Sequence, residues 1–161
     1  MGMNIYDGVK VIDMTNNFAG PMAGALLADY GAEVIHIEKP VLGDDNRFFS
    51  PMVDGTSVSH MSANRGKKSV VLDLKDHRAI EAIQRMVKGA DIFIESYRPG
   101  VMDRLGLGYE AVKAINPSII YCSVSAYGQV GPYSKRPGYD VIAQAVSGAM
   151  YMTGDPNGPP T

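Results

Sequence analysis

Short β-rich runs alternate with helical stretches along nearly the whole sequence, and this alternation limits the possible folds more than any single motif does. Val9-Lys10-Val11-Ile12-Asp13-Met14 is the first run, and it stops at Thr15-Asn16-Asn17, residues whose side chains favour turns. Further strands are expected at residues 33–37, 68–74, 91–95 and 118–124. Between them, Pro21 and Gly31 mark the start and stop of one helix. Asp76 caps a second, in which Ala79, Ile80, Ala82, Ile83, Met86 and Val87 form a 3.6-period stripe ended by Gly89. A third, Tyr109–Ile115, stops at Asn116-Pro117, and residues 139–151 read as a last helix that tolerates Gly148 inside it. Asp91-Ile92-Phe93-Ile94-Glu95 is almost wholly apolar, as a strand covered on both faces should be. The expected class is therefore α/β, a Rossmann-like, mostly parallel sheet with helices on both faces, with residues 39–62 as the one long stretch off the sheet.

The bulk composition excludes several partners. With 161 residues, 45% of them hydrophobic and 20% charged, the chain holds enough apolar material for one ordinary core. A net charge of −2 gives no Lys/Arg excess to meet a nucleic-acid backbone, so no nucleic-acid partner is expected. The single Cys122 permits no internal disulfide and suits a reducing, cytoplasmic setting; lying in a strand run, it reads as a buried, inert thiol. No run of about 18 apolar residues is present, which argues against a membrane span. The histidines His36, His60 and His77 have no spacing that suggests a metal site or a triad, and each reads as structural or superficial. The stretch Gly154-Asp155-Pro156-Asn157-Gly158-Pro159-Pro160-Thr161 reads as a connection leading onward.

In an open parallel sheet, ligands sit outside the carboxyl ends of the strands. After the first strand, Gly20, Ala23 and Gly24 leave little bulk at a helix N-terminus, which suits either an anion or close packing on the sheet. Neither a dinucleotide fingerprint nor a P-loop is present. After the second strand stands Lys39, and farther on Arg65, Lys67, Lys68 and Lys75 form a cation group that could meet phosphates or simply be a solvated face. Glu95-Ser96-Tyr97-Arg98-Pro99-Gly100 joins an aromatic ring and an Arg at a strand exit, suited to stacking on a flat base and pairing with phosphate. The last such segment carries Gly128 and Gly131, then Arg136-Pro137-Gly138-Tyr139-Asp140, where Asp140 could cap a helix or act on a substrate.

Several of these segments, taken in order, resemble a known family. Asp7-Gly8-Val9-Lys10-Val11-Ile12-Asp13, Ala19-Gly20-Pro21 and Gly31-Ala32-Glu33-Val34-Ile35-His36-Ile37-Glu38-Lys39-Pro40 are similar to the opening of class III CoA-transferases of the CaiB/BaiF type. So are Asn64-Arg65-Gly66-Lys67-Lys68-Ser69, Leu72-Asp73-Leu74-Lys75, Tyr97-Arg98-Pro99-Gly100, Arg104-Leu105-Gly106, Tyr127-Gly128-Gln129 and Gly154-Asp155-Pro156. The resemblance implies that coenzyme A or acyl-CoA binds as a substrate, with no tightly bound cofactor and no metal. By the same resemblance its contacts fall on Phe18, Ala19, Lys39, Leu72, Lys75, Ser96, Tyr97, Arg98, Arg104 and the loop carrying Arg136 and Tyr139. Phe18 departs from relatives that often have a polar residue there, such as Gln.

The resemblance further implies an acyl-CoA:carboxylate CoA-transferase acting through an aspartyl-CoA thioester, with a small carboxylic acid as the second substrate. The nucleophilic Asp is expected beyond Thr161, so residues 1–161 would be the N-terminal CoA-binding part of the large domain, without its remainder or the small domain, and without activity of their own. The full-length protein would be an interlocked homodimer. Two alternatives stand beside this. One is an α-methylacyl-CoA racemase-like isomerase, disfavoured because Gly138-Tyr139-Asp140 places a phenol, a poor acid–base group near neutrality, where that reaction uses an imidazole. The other is a non-catalytic CoA- or nucleotide-binding module.

Overall fold

The alternating pattern folds into a parallel sheet. The structure, a computed structural model, describes residues 4–161. Its strands are β1 (Lys10–Met14), β2 (Glu33–Glu38), β3 (Met52–Val53), β4 (Thr56–Ser57), β5 (Lys68–Val71), β6 (Ile92–Glu95) and β7 (Ile120–Ser123). The helices are α1 (Ala19–Asp29), α2 (Val58–Ala63), α3 (His77–Val87), α4 (Val101–Arg104), α5 (Tyr109–Ile115), α6 (Asp140–Ser147) and α7 (Ala149–Met152). Five strands pair in the order β5-β2-β1-β6-β7, all parallel. Chain order reverses between β1 and β6, which puts the topological switch point, where such folds take ligands, at the ends of these two strands.

Strand alternation sorts the residues onto two faces. Ile12, Met14, Ile37 and Phe93 pack with Ile83 and Val87 of α3, Met102 of α4, Leu107 and Val112 of α5 in the larger core. Burying a side chain such as Phe93 or Ile83 completely contributes about 2–3 kcal/mol. On the opposite face Val11, Val34 and Ile94 meet Ala32, with Leu27 and Ala28 of α1 against them. Toward the strand ends this second face turns polar: Asp13 and His36 lie side by side in register, and Glu38 follows on β2.

α1 approaches this polar end closely. A Cβ on Gly20 would lie 2.5 Å from the Thr15 side chain, and one on Gly24 would lie 2.5 Å from Asp13 Oδ2. Both glycines therefore serve close packing, the second of the two uses open to them.

The sequence expectations hold for the sheet and fail in identifiable places. Residues 39–62 do lie off the five-stranded sheet, but they hold a 3-10 turn at Asp45–Phe48, the β3–β4 hairpin and the start of α2. The hairpin turns on Asp54 and Gly55, both left-handed, as a two-residue loop of the favoured hand requires. The helix expected at residues 139–151 is broken: Gly148 adopts φ +82°, ending α6 and starting α7. Cys122 is exposed, not buried. It sits on an edge strand whose Tyr121 side stacks on Phe93 at 5.1 Å while its Ile120 and Cys122 side is uncovered.

The chain divides into two compact units, residues 1–124 and 125–161. Both hydrophobic clusters belong to the first. Among the described residues, no helix is long and apolar enough to cross a membrane, and no group of His, Cys, Asp and Glu could hold a metal ion.

Candidate functional site

A cleft of about 330 Å³ opens at the carboxyl ends of β1, β2 and β6. Its lining is Asn16 and Asn17 after β1, Ile37 and Glu38 at the end of β2, Lys39 and Asp45 beyond it, Leu72 and Leu74 after β5, and Ser96, Tyr97 and Arg98 after β6. A hydrogen bond crosses the switch point, from the Asn16 backbone N–H to Ser96 Oγ at 2.8 Å. Another hollow of about 300 Å³, formed by Glu81, Gln84, Arg85, Lys88 and Ile115, lies away from the strand exits.

The cleft offers both an apolar wall and charge. Tyr97 is half-buried, and burial pushes its phenol up despite a hydrogen bond with the Asn16 side chain, so the hydroxyl stays neutral. Leu72 and Leu74 pack against the larger core and leave flat apolar surface toward the cleft. Arg98 is exposed, and Lys39 forms an ion pair with Asp45. An aromatic ring, aliphatic surface and cations around one cleft can bind a flat heterocycle carrying phosphates.

Behind the cleft lies a set of buried charges. Glu38 takes a bidentate pair from Arg47 at 2.7 and 2.6 Å, a bond from Ser69 Oγ at 2.7 Å and the Asp44 backbone N–H at 2.9 Å. Burial alone would raise its carboxyl, but these donors overcome that and hold it at about 2. Burial likewise opposes the charge on His36, yet the carboxylates of Asp13 and Asp44 push it up to about 9. Lys67 is 2% exposed and donates to Asp13 Oδ2 at 2.7 Å; its ammonium is shifted down, burial outweighing that carboxylate.

Comparison with known proteins gives this cleft its context. Residues 6–161 match the family described as CoA-transferase family III. The chain belongs to CoA-transferase family III. It is 48% identical over 155 residues to the human succinyl-CoA:glutarate CoA-transferase, covering 96% of this chain and 35% of that protein. It is 49% identical over 156 residues to the acetyl-CoA:oxalate CoA-transferase of Acetobacter aceti, covering 97% of this chain and 40% of that one. A CaiB/BaiF family crystal structure from Brucella suis superposes with a TM-score of 0.93 at 40% identity, over 99% of this chain and 43% of the other. The chain thus spans 35% and 40% of the length of these two curated relatives.

Of the residues that the resemblance to this CoA-transferase family singles out, the structure gathers Lys39, Leu72, Ser96, Tyr97 and Arg98 in the cleft lining. Phe18, Ala19, Lys75 and Arg104 are exposed and outside that lining. Arg136 and Tyr139 belong to the second unit, where Arg136 lies 4.2 Å over the ring of Tyr133 and Tyr139 is exposed. The cation group read from the sequence is largely spent within the protein. Arg65 pairs with Asp29, Lys67 with buried Asp13 and Lys68 with Glu33, which leaves Lys75. Asp140 does not cap α6; Tyr139 is the N-cap residue, and the Asp140 carboxylate accepts from Gln144 one turn on.

Sequence reasoning missed Asp45, Glu38 and the buried charges behind them. The signal was available in the strands: Asp13, His36 and Glu38 fall on alternate positions of otherwise apolar runs, and so share one face.

Proposed function

We propose that the cleft binds the nucleotide portion of coenzyme A, and that the chain is the CoA-binding part of an acyl-CoA:carboxylate CoA-transferase. The observation that carries this is the meeting of Lys39, Leu72, Tyr97 and Arg98 at the switch point of a family III chain. Tyr97 and Leu72 would border the adenine, while Lys39, Arg98, Lys75 and Arg104 would serve the phosphates. Phe18, Ala19, Ser96, Arg136 and Tyr139 complete the proposed contacts. The curated relatives named for succinate, glutarate and oxalate support a short dicarboxylate as one of the exchanged acids.

The chemistry we assign is nucleophilic. An aspartate carboxylate attacks the carbonyl carbon of the donor thioester, the C–S bond breaks, and CoA leaves as thiolate from the mixed anhydride. The thiolate then attacks the aspartyl carbonyl, releasing the donor carboxylate and leaving aspartyl-CoA for the acceptor acid. On the family resemblance we propose that this aspartate follows the Gly158-Pro159-Pro160 turn, beyond Thr161, and that the full-length protein is a homodimer. Asp13 and Asp44 are ill-suited to the task, being buried against His36 and outside the cleft lining.

Calorimetric titration of the chain with CoA tests the binding half of the proposal. Saturable binding without turnover is expected, weakened about 5-fold or more by Tyr97→Ala, since a base stacked on an aromatic ring is worth about 1–3 kcal/mol. No binding at millimolar CoA, or a Tyr97→Ala variant that binds as the parent does, refutes the placement.

A further inference from the structure

Asn17 stands at the entrance to α1 with φ +69°, a left-handed conformation unusual outside glycine. Both sides of the residue are fixed by side chains distant in sequence. Its N–H donates to Asp44 Oδ1 at 2.9 Å, and its carbonyl accepts from Asn46 Nδ2 at 2.5 Å. Starting from Asp44, the polar groups continue in a closed path. Asp44 Oδ2 lies 3.6 Å from His36 Nε2, and His36 Nδ1 lies 3.4 Å from Asp13 Oδ2. Asp13 Oδ2 accepts from Lys67 Nζ at 2.7 Å, and Lys67 also donates to Asn64 Oδ1 at 2.8 Å. Asn64 Nδ2 at 3.0 Å and Asn46 Oδ1 at 2.9 Å both abut His60 Nδ1, which bonds the first when it is an acceptor and the second when it carries the proton, and Asn46 returns to Asn17.

Two features set this ring apart from ordinary core polarity. Both nitrogens of His36 are buried without a hydrogen bond, and so is Asp44 Oδ2, so the ring is held at this point by charge over 3.4 and 3.6 Å. Such burial is a weak way to gain stability, because an apolar trio of similar volume would do as well. What it secures is a single arrangement, here of a strained peptide that lines the cleft.

We infer that this ring positions the Asn17 peptide, and with it the wall of the CoA cleft between β1 and α1, with buried His36 as the cation that holds Asp44 in place. The inference rests on the CoA reading of the cleft given above. His36 is a positioning residue: it acts on the ligand only through Asp44 and Asn17. The groups facing it are Asp13 from β1, Asp44 from the loop after β2, Glu38 two residues along its own strand, Lys67 from the turn after α2, and His60 from α2. β5 offers uncharged Ser69 in register, α1 brings Gly24 against Asp13 and its Pro21 carbonyl to Lys67, and Arg47 is taken up by Glu38. His36 has a pKa raised from 6.5 to about 9 in the folded chain, so its contribution to folding stability is full below about 6.5, while its hold on Asp44 within the folded chain persists through neutral pH and is lost as pH rises through about 9.

The test uses acetyl-CoA, which carries no free thiol, titrated against the chain from pH 7 to pH 10, together with the Asn17 amide resonance in the absence of ligand. Expected are an affinity that falls about 10-fold through pH 9 and an Asn17 amide that moves over the same range. In His36→Gln both profiles should be flat, with affinity already about 10-fold weaker at pH 7. If His36→Gln keeps the parent's pH profile, the inference is overturned. Should His36→Gln not fold, Asn46→Ala removes the Asn46 bonds to the Asn17 carbonyl and to His60 while leaving His36, Asp13 and Asp44 in place, and weaker binding with an unchanged pH midpoint supports the ring; parental affinity overturns it. A parent chain that does not bind acetyl-CoA refutes the CoA reading instead, and the ring then stands or falls on whether the Asn17 amide follows the His36 titration.

Discussion

At the scale of single residues, the cleft holds an opposition between its own groups. Lys39, a candidate for a CoA phosphate, is already paired with Asp45, and both side chains are about half exposed, at 46% and 51%. An incoming phosphate must displace that carboxylate or bind beside it. Exposed pairs of this kind contribute about 0.2–1 kcal/mol, so removing the competitor should strengthen CoA binding by at most about fivefold. Asp45→Asn is the variant, and calorimetry at low ionic strength is the measurement; weaker binding by Asp45→Asn would mean that Asp45 itself serves the ligand. This pairing also explains what the sequence left illegible. Residue type and strand-end position were enough to pick out Lys39, Ser96, Tyr97 and Arg98, because the carboxyl end of a strand is a property of the chain's order, whereas Leu72 was singled out only by the family resemblance. Which cations are free was not readable, because Arg65, Lys67 and Lys68 find Asp29, Asp13 and Glu33 across distances of 35 residues or more in the sequence.

At the scale of elements, α1 is the piece whose placement depends on the absence of side chains. Its buried face is made of Gly20, Pro21, Gly24 and Ala25, and Gly24 sits where a Cβ would meet Asp13 Oδ2 at 2.5 Å and Lys67 Nζ at 3.1 Å. Gly24→Ala should gain helix propensity yet lose more to overpacking against groups that cannot retreat, for a net cost of about 1–2 kcal/mol and a Tm lower by about 3–6 °C. Gly89→Ala, with nothing within 4 Å of the added carbon, is the control and should leave Tm nearly unchanged. Equal Tm values in thermal unfolding would show that α1 can shift outward freely. Element type was legible wherever a local signal sufficed: the apolar strand at β6, the Asp76 cap, the stripe of α3. It failed where a single residue's backbone decides the matter. Gly148 inside an apolar run looks tolerable in a helix, and only its left-handed φ of +82° shows that α6 ends there. The exposure of Cys122 likewise depends on β7 being an edge strand, a fact of sheet order that strand composition does not carry.

At the scale of the whole chain, burial is unevenly divided. Every residue in the two hydrophobic clusters lies before residue 125, and neither α6 nor α7 has a buried residue. Val130, Val141, Val146, Tyr139, Tyr151 and Met152 are each at least 62% exposed, so the second unit carries apolar side chains without a core of its own to hold them. A unit this small, without a disulfide or metal, buries too little surface to offset the conformational entropy of ordering it. Its backbone hydrogen bonds should therefore open by local fluctuation at little free-energy cost, while those of β1 and β6 open only with the sheet. Hydrogen exchange on the chain should show the amides of Val141 to Ser147 exchanging within minutes at neutral pH, and those of Ile12 and Phe93 slower by several orders of magnitude. Protection of α6 equal to that of β6 would require an apolar cover over Val141 and Val146. Its source follows from dilution: cover by a second copy weakens as concentration falls, whereas cover within one chain does not.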